Sequence, residues 1–423
     1  MSLTLMLPLC GMLTMVSAAK QPNIIFIMAD DLGEYMIDGG SKIDVLYLGW
    51  NDVGFHNPKL KTPNMNWLAK EGIELTNHYA QPLCSPSRSA LMTGKYPSMN
   101  GLSQLVLCPF SKSCLPLEHK ILPQYLKELG YATKYVGKCF AEFGGVVNRY
   151  INDSVSLKNL GTHLSVTPEM FNTHEFLNSS DPETTARRKY LGLVSAVDDI
   201  IGETIQSLKD ADLYNNSVII FTSDNGGTSL PFNIRGFTTE AAGNNYPLRS
   251  GKGSMLEGGV KVPTLYFDTR LPQKYAGTKR DFLMHISDWL PTMMHLAGND
   301  SFDETIDGVS QYHNLGESYS ERNKYHTRQG ALLSLTDYSA ANPLTSCGDA
   351  DAAFRFEDWK LLYGTESGVV SHSVPTEWVK PAESPELPDI TGDSCFRLDE
   401  KGNQVLRCLF NLKGESKLSY LIF

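Results

Sequence analysis

The stretch NSVIIFTSDNGG, residues 216–227, consists of a continuous apolar run followed by polar residues and two glycines. A second stretch, PNIIFIMADD at residues 22–31, has the same form. Continuous apolar runs of this length are typical of strands that are buried on both faces of a parallel sheet. Ligands of open α/β sheets bind outside the carboxyl ends of such strands, so the two runs predict one shared site.

Four side chains with hard oxygen ligands follow these runs: Asp30 and Asp31 after the first, Asp224 and Asn225 after the second. Oxygen ligands suit Ca²⁺, with Mg²⁺ also possible, better than Zn²⁺, which prefers His and Cys. The alternative is that these residues only cap loops or helices. Because the pattern occurs twice, we favour a metal site.

Helical patterns surround the two strands. The long amphipathic segment 183–213 leads directly into the second strand, as a crossover helix does. Shorter helices are predicted at 62–72, 122–130 and 287–298, the last with Ser287 as its N-cap, and a further strand at 262–267. After about residue 330, short strand-like runs separated by turn residues predict a small sheet domain.

Composition limits the class of function. The 423 residues carry a net charge of −10 and are 41% hydrophobic, which predicts a packed globular protein. The acidic balance argues against nucleic-acid binding, although a local group of Lys and Arg can still bind an anionic substrate.

The first 19 residues predict a signal peptide, because an apolar run from Leu3 to Val16 is followed by small residues. This run is too short for a membrane anchor, so we expect no stable membrane insertion. The chain also carries N-x-S/T sequons, which fit the secretory pathway. They lie at Asn152, Asn178, Asn215 and Asn299.

Cysteine usage separates one thiol from the rest. Cys84 lies in PLCSPSRSALMTG, residues 82–94, at the start of a predicted helix and one turn before Arg88. An even set of cysteines in an oxidising compartment suggests disulfides, whose pairing the spacing leaves open. That set is Cys108, Cys114, Cys139, Cys347, Cys395 and Cys408.

Two lysines lie beside glycines in loops. Lys138 is in YVGKC and Lys252 is in SGKGSMLEGGVKVP. Glycine lets the backbone approach a ligand closely, and a lysine there can bind a tetrahedral anion as a point charge. For either lysine alone, an ordinary surface position is the favoured interpretation.

The segment CSPSRSALMTG resembles the C-x-P-x-R signature of type I sulfatases. PNIIFIMADDLG, SDNGG, GKGSMLEGGVKVP and HISDWLPTMMHLAG resemble further segments of that family, in the family's order. The segment CLPLEHKILPQYLKELGYATKYVGK is most similar to the arylsulfatase B, or N-acetylgalactosamine-4-sulfatase, branch.

The resemblance implies an α/β fold like that of alkaline phosphatase. Its large mixed, mostly parallel sheet is flanked by helices, and a small antiparallel sheet domain follows. We therefore expect a signal peptide at 1–19, a catalytic domain at 20–329 and a C-terminal sheet domain at 330–423, shorter than in the family.

The resemblance also answers why one cysteine stands apart. In this family the signature cysteine, here Cys84, is oxidised to formylglycine in the endoplasmic reticulum by an enzyme that reads Pro86 and Arg88. One hydroxyl of the hydrated aldehyde attacks sulfur, and the other later drives the release of sulfate. The implied substrate is a sulfated small molecule or glycan, and the implied location is lysosomal or extracellular.

The family's site residues transfer onto matching positions of this chain. Arg88 would hold the formylglycine, and Lys138 and Lys252 would bind the sulfate. The implied metal ligands are Asp30, Asp31, Cys84, Asp224 and Asn225.

Three departures from the family affect the expected activity. Residues 34–49 interrupt the metal-binding segment, and the segment after Lys138 is shortened. Phe140 occupies the place of the histidine that acts as the base. His163, in THLSVTPE, is either the acid that protonates the leaving alcohol or a surface-loop histidine.

Two alternatives to an active sulfatase remain open. A catalytically impaired member would keep the fold with little or no turnover. A phosphatase or phosphodiesterase of the same superfamily is a weaker candidate. Such an enzyme would have a Ser or Thr nucleophile and His-rich metal ligands, whereas the candidates here are Cys84 and oxygen ligands.

Overall fold

The computed structural model describes residues 21–29, 48–103, 114–136, 182–228, 233–234, 237–238, 242–301, 305–316, 328–337, 350–365, 396–398, 404–412 and 420–421. Most of the 34–49 insertion and all of 137–181 lie outside the described residues. The same holds for the predicted signal peptide and for five residues with predicted roles: Asp30, Asp31, Lys138, Phe140 and His163.

Strands and helices alternate through the first three quarters of the chain. The helices are α1 (Pro63–Glu71), α2 (Cys84–Thr93), α3 (Pro97–Asn100), α4 (Leu122–Glu128), α5 (Pro182–Asp210), α6 (Glu257–Val260), α7 (Trp289–Leu296) and α8 (Tyr312–Gly316). The strands up to residue 285 are β1 (Asn23–Ala29), β2 (Ile73–Leu75), β3 (His78–Tyr79), β4 (Ser217–Ser223), β5 (Asn233–Ile234), β6 (Phe237–Thr238), β7 (Leu265–Asp268), β8 (Thr278–Arg280) and β9 (Met284–His285). None of the described helices is both long and apolar enough to cross a membrane.

The central sheet has five strands in the order β1-β4-β7-β2-β8. β1 pairs with β4 in parallel, and β2 pairs with β8 in parallel. β7 is antiparallel to both of its neighbours and therefore runs against the other strands. The expected mixed, mostly parallel sheet is thus confirmed.

Helices cover both faces of this sheet. Successive side chains of β4 point to opposite faces, so they pack in two different cores. Val218 and Ile220 pack in one core with α2, α4 and α7. Ile219 and Phe221 pack in a second core with α1 and α5. The crossover helix α5 precedes β4, as its amphipathic pattern predicted.

Two details differ from the sequence expectation. β4 is buried along its whole length, whereas β1 is mostly half-buried, because β1 lies at the edge of the described sheet. Helix α7 is not capped by Ser287, which lies in a 3₁₀ turn before it. In that turn the ring of His285 accepts a hydrogen bond from the Ser287 backbone instead.

A separate antiparallel sheet follows, formed by β10 (Gly330–Asp337), β11 (Ala350–Phe356), β12 (Trp359–Thr365), β13 (Phe396–Leu398), β14 (Gln404–Asn411) and β15 (Tyr420–Leu421). Its order is β10-β11-β12-β14-β13, with β15 paired to β14. Apolar side chains of β10 to β12 pack against Tyr79, Met255 and Val260. The expected small C-terminal sheet is therefore present and lies against the loop that carries Lys252.

Candidate active site

The ends of β1 and β4 meet at one edge of the sheet. Ala29 is paired with Ser223, and the N–H of Asp224 donates to the Ala29 carbonyl at 3.3 Å. Asp224 and Asn225 are 1% and 0% exposed. Asp30 and Asp31 follow Ala29 in the chain but lie outside the described residues. The two apolar runs are thus neighbouring parallel strands, and the convergence of all four predicted ligands at their ends stays a prediction.

Asn225 has the features of a cation ligand. Its backbone carbonyl accepts from Ser223 Oγ at 2.9 Å, and its Nδ2 donates to the Gly226 carbonyl at 3.1 Å. Within the described residues its buried Oδ1 has no hydrogen-bond partner. An unsatisfied buried polar atom costs about 1–3 kcal/mol, so an amide oxygen in this state fits a hard cation.

The described residues hold no cluster of three or more His, Cys, Asp or Glu side chains suited to a metal ion. Of the predicted ligand set, the structure describes Cys84, Asp224 and Asn225, and the last two are oxygen ligands in their unmodified form. Their chemistry, one carboxylate and one amide oxygen, fits Ca²⁺ or Mg²⁺.

Cys84 is the first residue of α2 and is 1% exposed. The turn before it is fixed because the N–H of Gln81 donates to Ser87 Oγ at 2.9 Å, and that hydroxyl donates back to the Gln81 carbonyl. The partial positive charge at the amino end of α2 favours an anion beside Cys84.

Arg88 joins the cysteine helix to the strand ends. It lies one turn after Cys84, and its Nε donates to Asp224 Oδ2 at 2.9 Å. Both partners are buried, so the pair is poorly screened by solvent. Arg88 thus holds α2 against the carboxylate that follows β4.

The loop of Lys252 closes the same region. The N–H of Lys252 donates to the Gly227 carbonyl at 3.1 Å, and the N–H of Gly253 donates to the Pro82 carbonyl at 2.8 Å. Lys252 is 4% exposed. Its loop therefore contacts both the segment after β4 and the turn before Cys84.

Gly226 shows why the SDNGG segment needs glycine. A Cβ at this position would lie 1.7 Å from the Gly258 carbonyl oxygen. The N–H of Gly226 donates to the Gly259 carbonyl at 2.9 Å. Only a residue without a side chain allows this approach between the two loops.

Several structural residues of the site were not predicted. Asp52 is fully buried, forms an ion pair with Arg187 of α5 at 2.7 Å and accepts from Tyr190. It also accepts from the backbone N–H groups of Gly49 and Asn244 at 2.8 and 2.9 Å. The chain that follows the 34–49 insertion is thereby fixed beside α5, and the carboxylate of Asp52 in WNDVGFH was the available signal.

His285 is a second unpredicted residue. Its Nε2 lies 2.9 Å from Gln81 Nε2, which places the ring against the turn that leads to Cys84. Burial, together with the charge of Arg328, lowers the pKa of His285 well below its usual value. A neutral ring fits its role as an acceptor.

The disulfide prediction is wrong for Cys114, which is an exposed free thiol. The side chains of the other five cysteines of that set are not among those described. Their pairing stays a prediction.

Comparison with known proteins shows which family this sequence matches. The family model described as Sulfatase matches residues 22–152 and 156–299. Arylsulfatase J of Mus musculus is 29% identical over 86% of this chain and 67% of its own length. N-acetylgalactosamine-6-sulfatase of Canis lupus familiaris is 27% identical over 75% of this chain and 71% of its own length.

A solved structure has a similar fold. The crystal structure of Ps i-CgsB superimposes with a TM-score of 0.57 at 25% identity and covers 81% of this chain and 84% of that chain. Since the family match spans more than half of the sequence, this chain belongs to the sulfatase family.

Proposed function

We propose that this chain cleaves sulfate esters of aryl or glycan alcohols, with a formylglycine made from Cys84 and a divalent cation at the strand ends. The hydrolysis of sulfate esters is the reaction of its family. The observation that carries the finer proposal is the buried contact between Arg88 and Asp224 at 2.9 Å. This contact joins the helix that begins at Cys84 to the predicted cation ligands.

The cation would be held by Asp224 and Asn225 together with Asp30, Asp31 and the modified Cys84. Ca²⁺ fits the oxygen ligands best, and Mg²⁺ is the alternative. When bound, the ion supplies positive charge that stabilises a developing anion and favours deprotonation of a hydroxyl. Arg88 is placed to share the charge of Asp224 and to keep α2 in position.

The sulfate group would be neutralised by Lys252 and by Lys138. Lys252 is 4% exposed, so its charge acts in a site from which water is largely excluded. The amino end of α2 adds partial positive charge at Cys84. Together these groups favour an oxyanion over a neutral ligand.

The proposal is tested by turnover of an aryl sulfate by full-length protein made together with the formylglycine-generating enzyme. Cys84→Ser should lower kcat by about 10³-fold or more, because serine offers no second hydroxyl to expel sulfate. Cys114→Ser is the matched control, since this thiol is exposed, and should leave turnover unchanged. Wild-type turnover by Cys84→Ser would refute the proposal, and faster cleavage of the matching aryl phosphate would favour the phosphatase alternative.

The impaired alternative rests on Phe140, which occupies the place of the family's base. General bases contribute about 10²–10⁴-fold. Without one, we expect a burst of alcohol product followed by slow sulfate release, and Phe140→His should raise the steady rate more than the burst. A steady rate equal to the burst would show that another group, such as His163, supplies the base, and the absence of any burst would favour the impaired protein.

The remaining sequence predictions complete the proposal. We propose entry into the secretory pathway through residues 1–19, with a lysosomal or extracellular destination, and a division into domains after residue 329. Secreted protein whose amino terminus is Lys20 would support the first point. Protein retained in the cytosol with Met1 intact would contradict it.

A further inference from the structure

Two buried hydroxyls in the described residues make no hydrogen bond: Thr228 Oγ1 and Ser250 Oγ. Thr228 is 6% exposed and Ser250 is 3% exposed. Leaving a buried hydroxyl without a partner costs about 1–3 kcal/mol, and native proteins seldom carry that cost without a ligand or water to remove it.

Both hydroxyls belong to the loops that surround Lys252. Asn245 Nδ2 donates to the Gly227 carbonyl at 2.8 Å and to the Ser250 carbonyl at 3.0 Å. The Gly227 carbonyl also accepts from the N–H of Lys252 at 3.1 Å. Gly227 directly precedes Thr228, so a single amide ties the backbone of both hydroxyl-bearing segments to the lysine loop.

The backbone of Ser250 provides an independent sign of function. Its φ is +65°, a left-handed conformation that glycine adopts at no steric cost and serine does not. The other two such residues in the described chain, Asp212 and Glu357, are exposed turn residues. Ser250 therefore combines a strained backbone with a buried, unsatisfied hydroxyl, and glycine would avoid both costs.

Buried atoms without hydrogen bonds occur elsewhere in the described chain, both in charged contacts, as at Asp52 Oδ1 beside Arg187, and singly. His78 Nδ1, Arg280 Nε and Asn314 Oδ1 each lie in a different element. In contrast, Asn225 Oδ1, Thr228 Oγ1 and Ser250 Oγ lie in loops that hydrogen-bond to one another. This grouping is the pattern expected of a binding site completed by its ligand.

We infer that Ser250 and Thr228 donate hydrogen bonds to the sulfate oxygens of the substrate beside Lys252. The inference rests on the proposed function and extends it to two substrate-binding residues. An oxyanion is the ligand that fits. The buried Lys252 supplies a positive charge, and the hydroxyls of Ser250 and Thr228 can each donate a hydrogen bond. Hydrogen bonds to a charged group are about twice as strong as neutral ones, which offsets the strain at Ser250.

The test uses full-length protein carrying the formylglycine, with an aryl sulfate as substrate and inorganic sulfate as inhibitor. Ser250→Ala and Thr228→Val should each raise KM and the inhibition constant of sulfate about tenfold, the effect of one lost hydrogen bond to a charged group. Ser250→Gly should raise both constants equally yet unfold at a higher temperature than Ser250→Ala, because it relieves the backbone.

Thr292→Val is the matched control for Thr228→Val. The Thr292 hydroxyl is also buried, but it donates to the Asp288 carbonyl at 2.6 Å. Its loss should lower the thermal midpoint and leave KM unchanged, whereas Thr228→Val should raise KM with little loss of stability.

The outcomes separate this inference from the proposed function. An active wild type whose KM and sulfate inhibition are unchanged by Ser250→Ala and Thr228→Val would overturn the inference alone. If the wild type turns over no sulfate ester, the proposed function fails. Calorimetric titration with inorganic sulfate then tests the inference. Weaker binding by Ser250→Ala than by the wild type supports it, and equal binding, or no binding by the wild type, overturns it.

Discussion

Two largely buried polar clusters each include a residue of the segment 250–261, and they differ in how completely their polar atoms are hydrogen-bonded. We call the first the sheet contact, formed by Tyr79, Glu257, Arg355 and Lys360. Tyr79 Oη donates to Glu257 Oε2 at 2.7 Å, and Lys360 Nζ donates to Glu257 Oε1 at 2.8 Å. Arg355 donates to the Tyr79 hydroxyl.

The charges of the sheet contact are balanced by neighbouring side chains. Burial alone would raise the pKa of Glu257, but attraction to Lys360, Lys261 and Arg355 outweighs it and lowers the pKa to about 2. No side chain of this cluster is among the buried side chains of the described chain that lack a hydrogen bond. It therefore needs no ligand.

The second cluster, the active-site loops around Asn225, Thr228 and Ser250, is incomplete in contrast. Each of these three residues carries a buried polar atom without a partner in the described chain. With the proposed function, the sheet contact would contribute to folding, whereas the loops of the second cluster would give up stability for ligand binding. Substitutions in the first should change unfolding, and substitutions in the second should change ligand affinity.

The largest expected effect is on the sheet contact. Lys360→Met should lower the free energy of unfolding by about 3 kcal/mol, because it removes a buried ammonium and leaves the partly buried Glu257 without its main partner. Lys279→Met is the matched control: Lys279 pairs with Glu74 at 2.8 Å but is 63% exposed, so its loss should cost about 0–1 kcal/mol. Urea unfolding measures both variants.

The same Lys360→Met protein should bind an aryl sulfate with the wild-type KM while folded. A rise in KM as large as that expected for Ser250→Ala would break the distinction between the two clusters. It would show that the sheet contact also shapes the anion site.

The next effect concerns the cation. Asn225→Ala should weaken Ca²⁺ binding by about 10–100-fold, because it removes a buried amide oxygen that fits the ion. Asn314→Ala is the control, since Asn314 Oδ1 is also buried without a partner but lies in α8. Calorimetry and the Ca²⁺-induced rise in thermal midpoint measure the change, and equal Ca²⁺ affinity in both variants would contradict the assignment.

The smallest effect is a pH dependence of the sheet contact. Because the pKa of Glu257 is lowered from its usual 4.5 to about 2, its contribution is fully present above pH 4.5 and lost as pH falls towards 2. The stability difference between wild type and Glu257→Gln should therefore shrink by about 1 kcal/mol between pH 6 and pH 3.5. A difference that stays constant over this range would show that Glu257 is not held ionised.

The sequence was sufficient for features that depend on local pattern. The apolar runs predicted the strands β1 and β4, and the segment 183–213 predicted α5. Resemblance to the family located Cys84, Arg88 and Lys252, which the structure places on contacting segments.

What the sequence could not predict depends on tertiary contacts. The sequence did not show that β1 is only partly buried and lies at the edge of the sheet formed by the described strands. It also did not show that β7 runs antiparallel to both of its neighbours. The roles of Asp52, Asn245 and Ser250 could not be predicted, because they depend on partners distant in the chain or on one backbone angle. Polar residues of this kind look like ordinary loop residues until their neighbours are known.

If Cys84 is the precursor of the nucleophile, mass spectrometry of the peptide that contains it will detect the modification. Protein made together with the formylglycine-generating enzyme should show the aldehyde mass at Cys84 and the unmodified thiol mass at Cys114. An intact thiol at Cys84 in that protein would contradict the account.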